Sequence, residues 1–334
     1  MKVVVDAFGG DYAPLEIVKG AALAQKELGV EMVLTGRKDE LEELIQKEKI
    51  SFENLRIVDA PDVITMHDEP TSLLKAHRNS SMAVAFDVLN RGEADAFVSA
   101  GSTGAIVVGG TLLVKRLKGV KRPALAGMLP SPNHPYMLMD MGANADCRPE
   151  MLAQFGVLAS IYLEKVAGIE NPSIRLLNIG TEDTKGGELQ KQAYELLSKQ
   201  PINFTGNVES RDMPKGVCDA VIADGFTGNI ALKLLEGATG TLMKMIKGIL
   251  KKNVKTILAA AMLKKDLYAL KEVSDSSQIG GAILLGVRRP VIKAHGNSNA
   301  QAIKNAIRQA KKYYESNAIE KMSETLSRSA EENE

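Results

Sequence analysis

Cysteine is scarce in this chain of 334 residues, and its apolar runs are short. The two cysteines, Cys147 and Cys218, stand far apart, and neither belongs to a C-x-x-C motif or lies near a pair of histidines. The spacing therefore predicts neither a zinc site nor a disulfide framework. The first apolar run, Val3 to Val5, is too short for a signal-peptide core or a membrane span, so we expect a cytoplasmic protein.

Several catalytic motifs are also missing. The sequence contains neither the G-x-x-x-x-G-K-[ST] motif of P-loop enzymes nor the G-x-G-x-x-G motif of dinucleotide-binding folds. It also lacks G-x-S-x-G and H-E-x-x-H, and only four histidines are available to act as a base. These absences disfavour covalent hydrolases and zinc enzymes, and we expect neither a metal nor an organic cofactor.

The composition is that of a globular protein, with 45% hydrophobic and 25% charged residues. A chain of this length exceeds the size at which one hydrophobic core usually divides, so we expect two lobes. The net charge of +1 provides no basic footprint for nucleic acid, and we expect no nucleic-acid partner.

One pattern recurs: a short apolar run ends in Gly with Asp, Asn, Ser or Thr, and a helical pattern follows. It occurs in KVVVDAFGGD, DAFVSAGSTGA, YMLMDMGANAD, RLLNIGTEDTKGG and DAVIADGFTGNIA. Continuous apolar runs are typical of strands buried on both faces, and their alternation with amphipathic helices predicts an α/β fold with a mostly parallel sheet. Because ligands of such sheets bind beyond the carboxyl ends of the strands, we expect all five loops to meet at one edge.

The lobe boundaries have only weak signals. The proline-bearing segment 121–135 is the best candidate for the first crossing between lobes, and 274–281 for the return crossing. The resulting lobes comprise residues 1–120 with 281–315, and residues 121–280. Residues 316–334 are polar and acidic, and we expect a frayed tail.

The glycine-rich loops also offer backbone chemistry, because exposed N–H groups at a helix N-terminus hold anions such as phosphate. Tight turns and helix caps require the same residue types, and for a single loop we favour that structural role. Five such loops at strand ends favour a binding site. The helix-start positions in SAGSTGA and DGFTGN include Gly101, Ser102, Thr103, Gly104, Gly228 and Asn229.

These segments resemble the PlsX family, the bacterial phosphate acyltransferases of phospholipid synthesis. The resemblance rests on DAFGGD, SAGSTGA, MDMGAN, LNIGTEDTKG, FTGNVE, DAVIADGFTGNIALK, GGAILLGV and HGNS, in this order over nearly the whole chain. It implies a homodimer with a two-lobed α/β/α fold similar to phosphotransacetylases and to isocitrate and isopropylmalate dehydrogenases. It also implies transfer of a long fatty acyl group from acyl carrier protein to inorganic phosphate, whose product supplies a membrane glycerol-phosphate acyltransferase.

The implied reaction needs a phosphate oxygen to attack a thioester carbonyl, an oxyanion to be stabilised and a thiolate to leave. A thiol with a pKa of about 8.5 leaves readily near neutral pH, so strong acid catalysis is unnecessary and positioning and electrostatics can carry most of the rate. The predicted phosphate- or oxyanion-binding residues are Asp6, Gly9, Gly10, Gly101, Ser102, Thr103, Gly104, Asn144, Asn178 and Gly228.

Three side chains are candidate catalytic groups. Lys185 is either a mobile charge for phosphate or the oxyanion, held by Glu182 and Asp183, or a solvated lysine beside two acids at a helix start. Asn229 caps a helix, reaches into the cleft, or does both. His295 either donates to phosphate or to the departing thiolate, or satisfies the backbone of a turn.

Two aspartates, Asp140 and Asp224, follow apolar runs and are expected at strand ends. A carboxylate in contact with phosphate repels it unless the carboxylate is paired. We therefore expect both to orient hydrogen-bond donors rather than to act as bases.

Residues 241–272 combine eight lysines with apolar residues at helical spacing. The segment is either a basic amphipathic hairpin on an anionic membrane, a surface that steers acidic acyl carrier protein, or a dimer contact with lysines on its wet side. Dimer packing with an exposed tip on lipid combines most of these features and predicts a peripheral membrane protein.

Three other functions stay open. A NAD-dependent dehydrogenase of the related fold requires a nicotinamide site and usually an acid cluster for a metal, neither of which is recognisable. A phosphotransacylase for shorter-chain acyl-CoA shares the phosphate chemistry but differs in thiol carrier and pocket depth. A non-catalytic membrane scaffold is favoured only by the lysine-rich segment.

Overall fold

The computed structural model of the chain describes residues 1–264 and 280–331. Most of the expected return crossing and residues 265–272 of the basic segment lie outside the described residues. The strands are β1 (Lys2–Asp6), β2 (Glu31–Gly36), β3 (Leu55–Asp59), β4 (Ala96–Ser99), β5 (Ala124–Leu129), β6 (Tyr136–Met139), β7 (Ile174–Asn178), β8 (Phe204–Glu209), β9 (Ala220–Ile222), β10 (Ala282–Leu285) and β11 (Val291–Lys293). The α-helices are α1 (Leu15–Leu28), α2 (Lys38–Lys47), α3 (Ser81–Asn90), α4 (Thr103–Gly109), α5 (Pro149–Tyr162), α6 (Glu188–Ser198), α7 (Gly225–Leu250), α8 (Val254–Met262), α9 (Ala300–Glu315) and α10 (Ala318–Glu331).

The strands of the described residues form one sheet in the order β3-β2-β1-β4-β11-β10-β5-β6-β9-β7-β8. Neighbouring strands are parallel except for three consecutive pairs at the centre, β11 with β10, β10 with β5, and β5 with β6. The predicted α/β fold with a mostly parallel sheet is confirmed. Side chains alternate between the two faces of the sheet: Val3 and Val5 pack on one face, whereas Val4, Phe97 and Val291 pack on the other.

The central reversal divides the carboxyl ends of the strands between two edges of the sheet. Because three antiparallel pairings intervene, β6, β9, β7 and β8 run opposite to β1, β4 and β11. We call the edge at the carboxyl ends of β1, β4 and β11 the first edge, and the edge at the carboxyl ends of β6, β7 and β9 the second edge. The expectation that all five glycine loops meet at one edge is therefore wrong.

The expected frayed tail is also wrong for the part that the structure describes. Residues 318–331 form α10, in which Ala318, Met322 and Leu326 are buried. Their spacing of four residues places all three on one helical face, which packs against α5 and the main core. The Tyr313 hydroxyl lies 3.5 Å from Met322 Sδ and links α9 to this helix.

The first part of the basic segment forms α8 and the end of α7, a helix of 26 residues. Large apolar side chains on both helices are more than half exposed: Phe226, Ile230, Leu234, Leu242, Met245, Ile249, Val254, Ile257, Leu258 and Met262. Among the described residues, no helix is both long enough and apolar enough to cross a membrane.

Candidate active site

A buried hydrogen-bond chain joins the loops that follow β1 and β4 at the first edge. The Ser99 hydroxyl donates to Asp6 Oδ2 at 2.7 Å and accepts the Gly101 N–H at 2.9 Å. The Phe8 N–H donates to Asp6 Oδ1 at 3.3 Å. Burial raises the pKa of Asp6, while hydrogen bonds from the Ser81 and Ser99 hydroxyls oppose that rise. Asp6 therefore supports the loops from beneath, with its carboxylate turned to backbone and hydroxyl donors.

Two glycines allow these loops to approach closely. A Cβ on Gly9 would lie 2.5 Å from Asp6 Oδ2 and 2.8 Å from the Gly101 nitrogen. Gly10 has a φ of 109°, and the next residue, Asp11, donates its N–H to the Gly296 carbonyl at 2.8 Å. The loop after β1 thus contacts both the loop after β4 and the loop after β11.

The N-terminus of α4 opens beside this contact. Ser102 is its N-cap, and the Ser102 Oγ accepts the Ala105 N–H at 3.5 Å. Thr103 and Gly104 form the first turn and are half-buried. The first N–H groups of a helix have no partner within the helix, so this turn presents donors suited to an anion.

Lys293, which the sequence reasoning did not identify, lies beside Ser99 in the sheet. It ends β11, where it pairs with Ser99 on one side and with Ala282 on the other. Its Nζ donates to the Ala294 carbonyl at 2.8 Å. Burial, followed by the charge of Lys233, lowers the pKa of Lys293 to about 8, although Asp11 and Glu236 act in the opposite direction. The available signal was a lysine that ends the apolar strand VIK, two residues before His295.

Helix α7 spans from the second edge to this cluster. Asn229, Lys233 and Glu236 are spaced four and three residues apart and share one helical face. Asn229 lies beside Gly142, where an added Cβ would be 3.4 Å from the Asn229 Cβ. Glu236 Oε1 lies 3.9 Å from Nε2 of the exposed His295, and Glu236 Oε2 lies 2.9 Å from Lys233 Nζ.

Asp140 organises the loop after β6 at the second edge. Its buried carboxylate accepts the N–H groups of Leu125, Gly142, Ala143 and Asn144, and also the Asn144 side-chain amide. Burial raises the pKa of Asp140, and these hydrogen bonds oppose the rise.

Two further predicted residues lie at the start of α7. Asp224 is the N-cap of this helix and accepts the Thr227 N–H at 2.8 Å and the Thr227 hydroxyl at 2.7 Å. Gly228 follows in the first turn and packs directly on the backbone oxygen of Asp140.

Lys185 lies in the loop after β7. The Asn178 amide donates to the Lys185 carbonyl at 3.1 Å, and Lys185 Nζ lies 3.8 Å from Glu182 Oε1, with both charged side chains about half exposed. Asp183 is exposed. Five strand-to-strand steps separate β7 from β11, or roughly 24 Å of sheet at the usual spacing. The strands that precede Lys185 and contain Lys293 are therefore far apart in the sheet.

The predicted site residues thus form two groups. The first edge holds Asp6, Gly9, Gly10, Gly101, Ser102, Thr103, Gly104 and His295. The second edge holds Asp140, Asn144, Asn178, Glu182, Asp183, Lys185, Asp224, Gly228 and Asn229.

Comparison with known proteins identifies the family. The model of the fatty acid synthesis protein family matches residues 1–321. A phosphate acyltransferase of Thermoanaerobacterium thermosaccharolyticum is 45% identical over 96% of this chain and 95% of its own length. Another phosphate acyltransferase, from Oceanobacillus iheyensis, is 47% identical over 93% of each chain. The chain belongs to this family.

Members of the phosphate acyltransferase family are enzymes, and this chain is an acyltransferase. A phosphotransacetylase from Streptococcus pyogenes has the same fold, with a TM-score of 0.65 over 94% of both chains. The two sequences are only 17% identical, so the likeness concerns the fold alone. It confirms the expected relationship to the phosphotransacetylase fold.

The two cysteines of this acyltransferase are poor nucleophiles. Burial raises the pKa of Cys147 to about 11 and that of Cys218 to about 12, so both are neutral thiols at physiological pH. Within residues 1–264 and 280–331, no three His, Cys, Asp or Glu side chains are grouped to hold a metal ion.

Proposed function

We propose that this acyltransferase moves a long fatty acyl group from acyl carrier protein to inorganic phosphate, and that the acyl phosphate supplies a membrane glycerol-phosphate acyltransferase. The observation that carries the proposal is the first-edge site, where α4 begins only a few residues after Ser99, the strand partner of Lys293. Backbone donors beside a half-buried cation match a small dianion.

In the proposed reaction, phosphate binds to the N–H groups at the start of α4. Fixed donors cost little reorganisation, so they hold one phosphate oxygen against the thioester carbonyl. The hydrogen bonds of Asp6 and Ser99 hold the loop after β1 against the loop after β4. We propose that His295, beside Glu236 on α7, contacts the substrate at the mouth of the site.

The sequence-based assignments of Lys185 and Asn229 as catalytic groups stay predictions. Both lie at the second edge, where Asn229 is nearer to the first-edge site because α7 crosses toward His295. Lys185→Ala is expected to leave the phosphate KM within about twofold of wild type, because its loop follows β7, which lies five strand steps, or roughly 24 Å of sheet, from β11. A tenfold rise in that KM would instead return Lys185 to the phosphate site.

The function is tested by mixing the purified protein with palmitoyl-acyl carrier protein and inorganic phosphate. Free carrier thiol and hydroxylamine-trappable acyl phosphate are expected to appear in equal amounts, and only when phosphate is present. Thiol release without phosphate would indicate a thioesterase. Faster turnover of acetyl-CoA than of the palmitoyl carrier would favour the shorter-chain phosphotransacylase, and reduction of NAD by a hydroxy acid would favour the dehydrogenase.

We also propose that the exposed apolar face of α7 packs in a homodimer and that α8 lies on an anionic membrane. α8 has four apolar side chains that are more than half exposed, including Leu258 at 61%, and lysines surround it. Apolar side chains beside basic ones are typical of helices at anionic lipid surfaces.

Leu258→Glu is expected to abolish flotation with anionic vesicles, because it places a negative charge on the apolar tip. Leu112→Glu is the matched control, since Leu112 is similarly exposed at 54% but belongs to the segment after α4 rather than to α8. Equal flotation of both variants and the wild type would exclude α8 as the lipid contact.

A further inference from the structure

Lys293 is a partly buried cation at the end of the central strand β11. It pairs with Ser99 on the neighbouring strand β4, and the Ser99 hydroxyl in turn donates to the buried Asp6 of β1. An ammonium has three donors, and the Ala294 carbonyl takes one of them. On the other side, its partner in β10 is Ala282, whose side chain is a single methyl group.

The other half of the sheet contains a position equivalent to that of Lys293. The segments DAFVSAGSTGAI and DAVIADGFTGNI, which lead into α4 and α7, share six of twelve residues. β11 flanks β4 as β6 flanks β9, and these pairings make Lys293 the counterpart of Asp140. The Asp140 carboxylate accepts five hydrogen bonds from neighbouring residues, so its charge is neutralised by donors within the fold. Lys293 holds the same place with a charge available to a ligand.

The surroundings of Lys293 combine charge with an apolar path. Lys233 and Glu236 face it from α7, Asp11 faces it from the loop after β1, and His295 follows on its own loop. Beyond Ala282, the methyl of Met141 covers Gly127 on β5. A thioester carbonyl at the junction of these two regions would have the cation on one side and apolar side chains for its acyl chain on the other.

We propose that Lys293 is a catalytic residue that binds the attacking phosphate and then protonates the sulfur that leaves. This inference rests on the proposed function. A hydrogenphosphate oxygen forms a bond to the thioester carbon, and the carbon–sulfur bond breaks with its electron pair on sulfur. The Lys293 ammonium gives a proton to that sulfur, and the neutral amine takes the proton that the acyl phosphate loses. Atoms and charge balance without an oxidant or a metal.

The titration of Lys293 suits this task. A pKa of about 8 is close to the reference value of about 8.5 for a thiol, so proton transfer between them is nearly balanced. Below that pH the ammonium is present in the folded protein, and above it the amine predominates. Phosphate affinity is therefore expected to fall as the pH rises through about 8, and Lys293→Arg, which stays charged, is expected to remove that fall.

The test measures phosphate binding by calorimetry and turnover with two kinds of thioester. Lys293→Met is expected to weaken phosphate binding at least tenfold and to lower kcat/KM for the acyl carrier protein thioester by about 100-fold or more. Lys293→Arg is expected to bind phosphate within about threefold of wild type but to lose turnover, because its guanidinium does not release a proton. An aryl thioester, whose thiol is far more acidic, is expected to restore most of the turnover of Lys293→Arg.

The matched control is Lys311→Met. Lys311 is also partly buried and also donates to a backbone carbonyl at 2.8 Å, in this case that of Leu28, but it lies on α9. This variant is expected to stay within twofold of wild type. Unchanged phosphate binding in Lys293→Met would overturn the binding role, and an equal loss with both thioesters in Lys293→Arg would overturn the proton-transfer role. Absence of phosphate-dependent product from the wild-type protein would instead refute the proposed function itself.

Discussion

Gly228→Ala is expected to destabilise the protein by more than about 3 kcal/mol, because a Cβ at this position would overlap the backbone oxygen of Asp140. Neither partner can move away easily. Gly228 lies in the first turn of α7, where its N–H donates to the Asp224 carbonyl at 2.9 Å. Asp140 is held by its N–H bond to the Ala223 carbonyl and by its carboxylate bonds to the loop after β6.

The control for this change is Gly237→Ala in the same helix. A Cβ at Gly237 would have no neighbour within 4 Å, so the added methyl is expected to stabilise the helix by up to about 1 kcal/mol. Urea unfolding followed by circular dichroism compares the two variants with the wild type. Coincident unfolding midpoints for Gly228→Ala and Gly237→Ala would show that α7 does not pack on Asp140 in the way described.

Asp6→Ala is expected to lower turnover by about 100-fold while costing only about 1–2 kcal/mol of stability. The change removes the acceptor of the Ser99 hydroxyl, and Ser99 in turn holds the Gly101 N–H at the start of the phosphate loop. Loss of a buried hydrogen-bond acceptor lowers stability. Burial raises the pKa of Asp6, which shows that its carboxylate is poorly solvated, so removing the carboxylate offsets part of that loss. Activity and stability are thus expected to separate.

Asp59→Ala provides the matched comparison. Asp59 also ends a strand and accepts a backbone N–H, that of Lys38 at 3.0 Å, but it lies on the outermost strand β3. Its turnover is expected to stay within threefold of wild type. Steady-state kinetics with phosphate as the varied substrate measures both changes, and near wild-type turnover in Asp6→Ala would remove the loop contact from catalysis.

The apolar strands and their α/β alternation can be read from the sequence, and so can the direction of some of the strands. Only six residues, 130–135, connect β5 to β6, and five connect β10 to β11. Links this short form hairpins and cannot contain a crossover helix, so both antiparallel pairs were predictable. The pairing of β10 with β5 joins distant parts of the chain, and no local pattern reveals it.

The other differences also have physical causes. The helix α10 was missed because acidic side chains outweighed Ala318, Met322 and Leu326 in composition, although their spacing of four is typical of a buried helical face. Lys293 was missed because it ends a strand of only three residues, and its environment depends on β4, β10 and α7. Lys185 was singled out as a lone cation among turn residues, yet the long-range topology decides which other loops it can reach.

The position of the bound anion is the most direct test. Crystals soaked with arsenate, a phosphate analogue, would show the arsenic atom by its anomalous scattering. We expect the peak between the first turn of α4 and Lys293 Nζ, beside the loop that contains Gly9 and Gly10. A peak that instead lies in the loop after β7, near Lys185, would contradict the first-edge site.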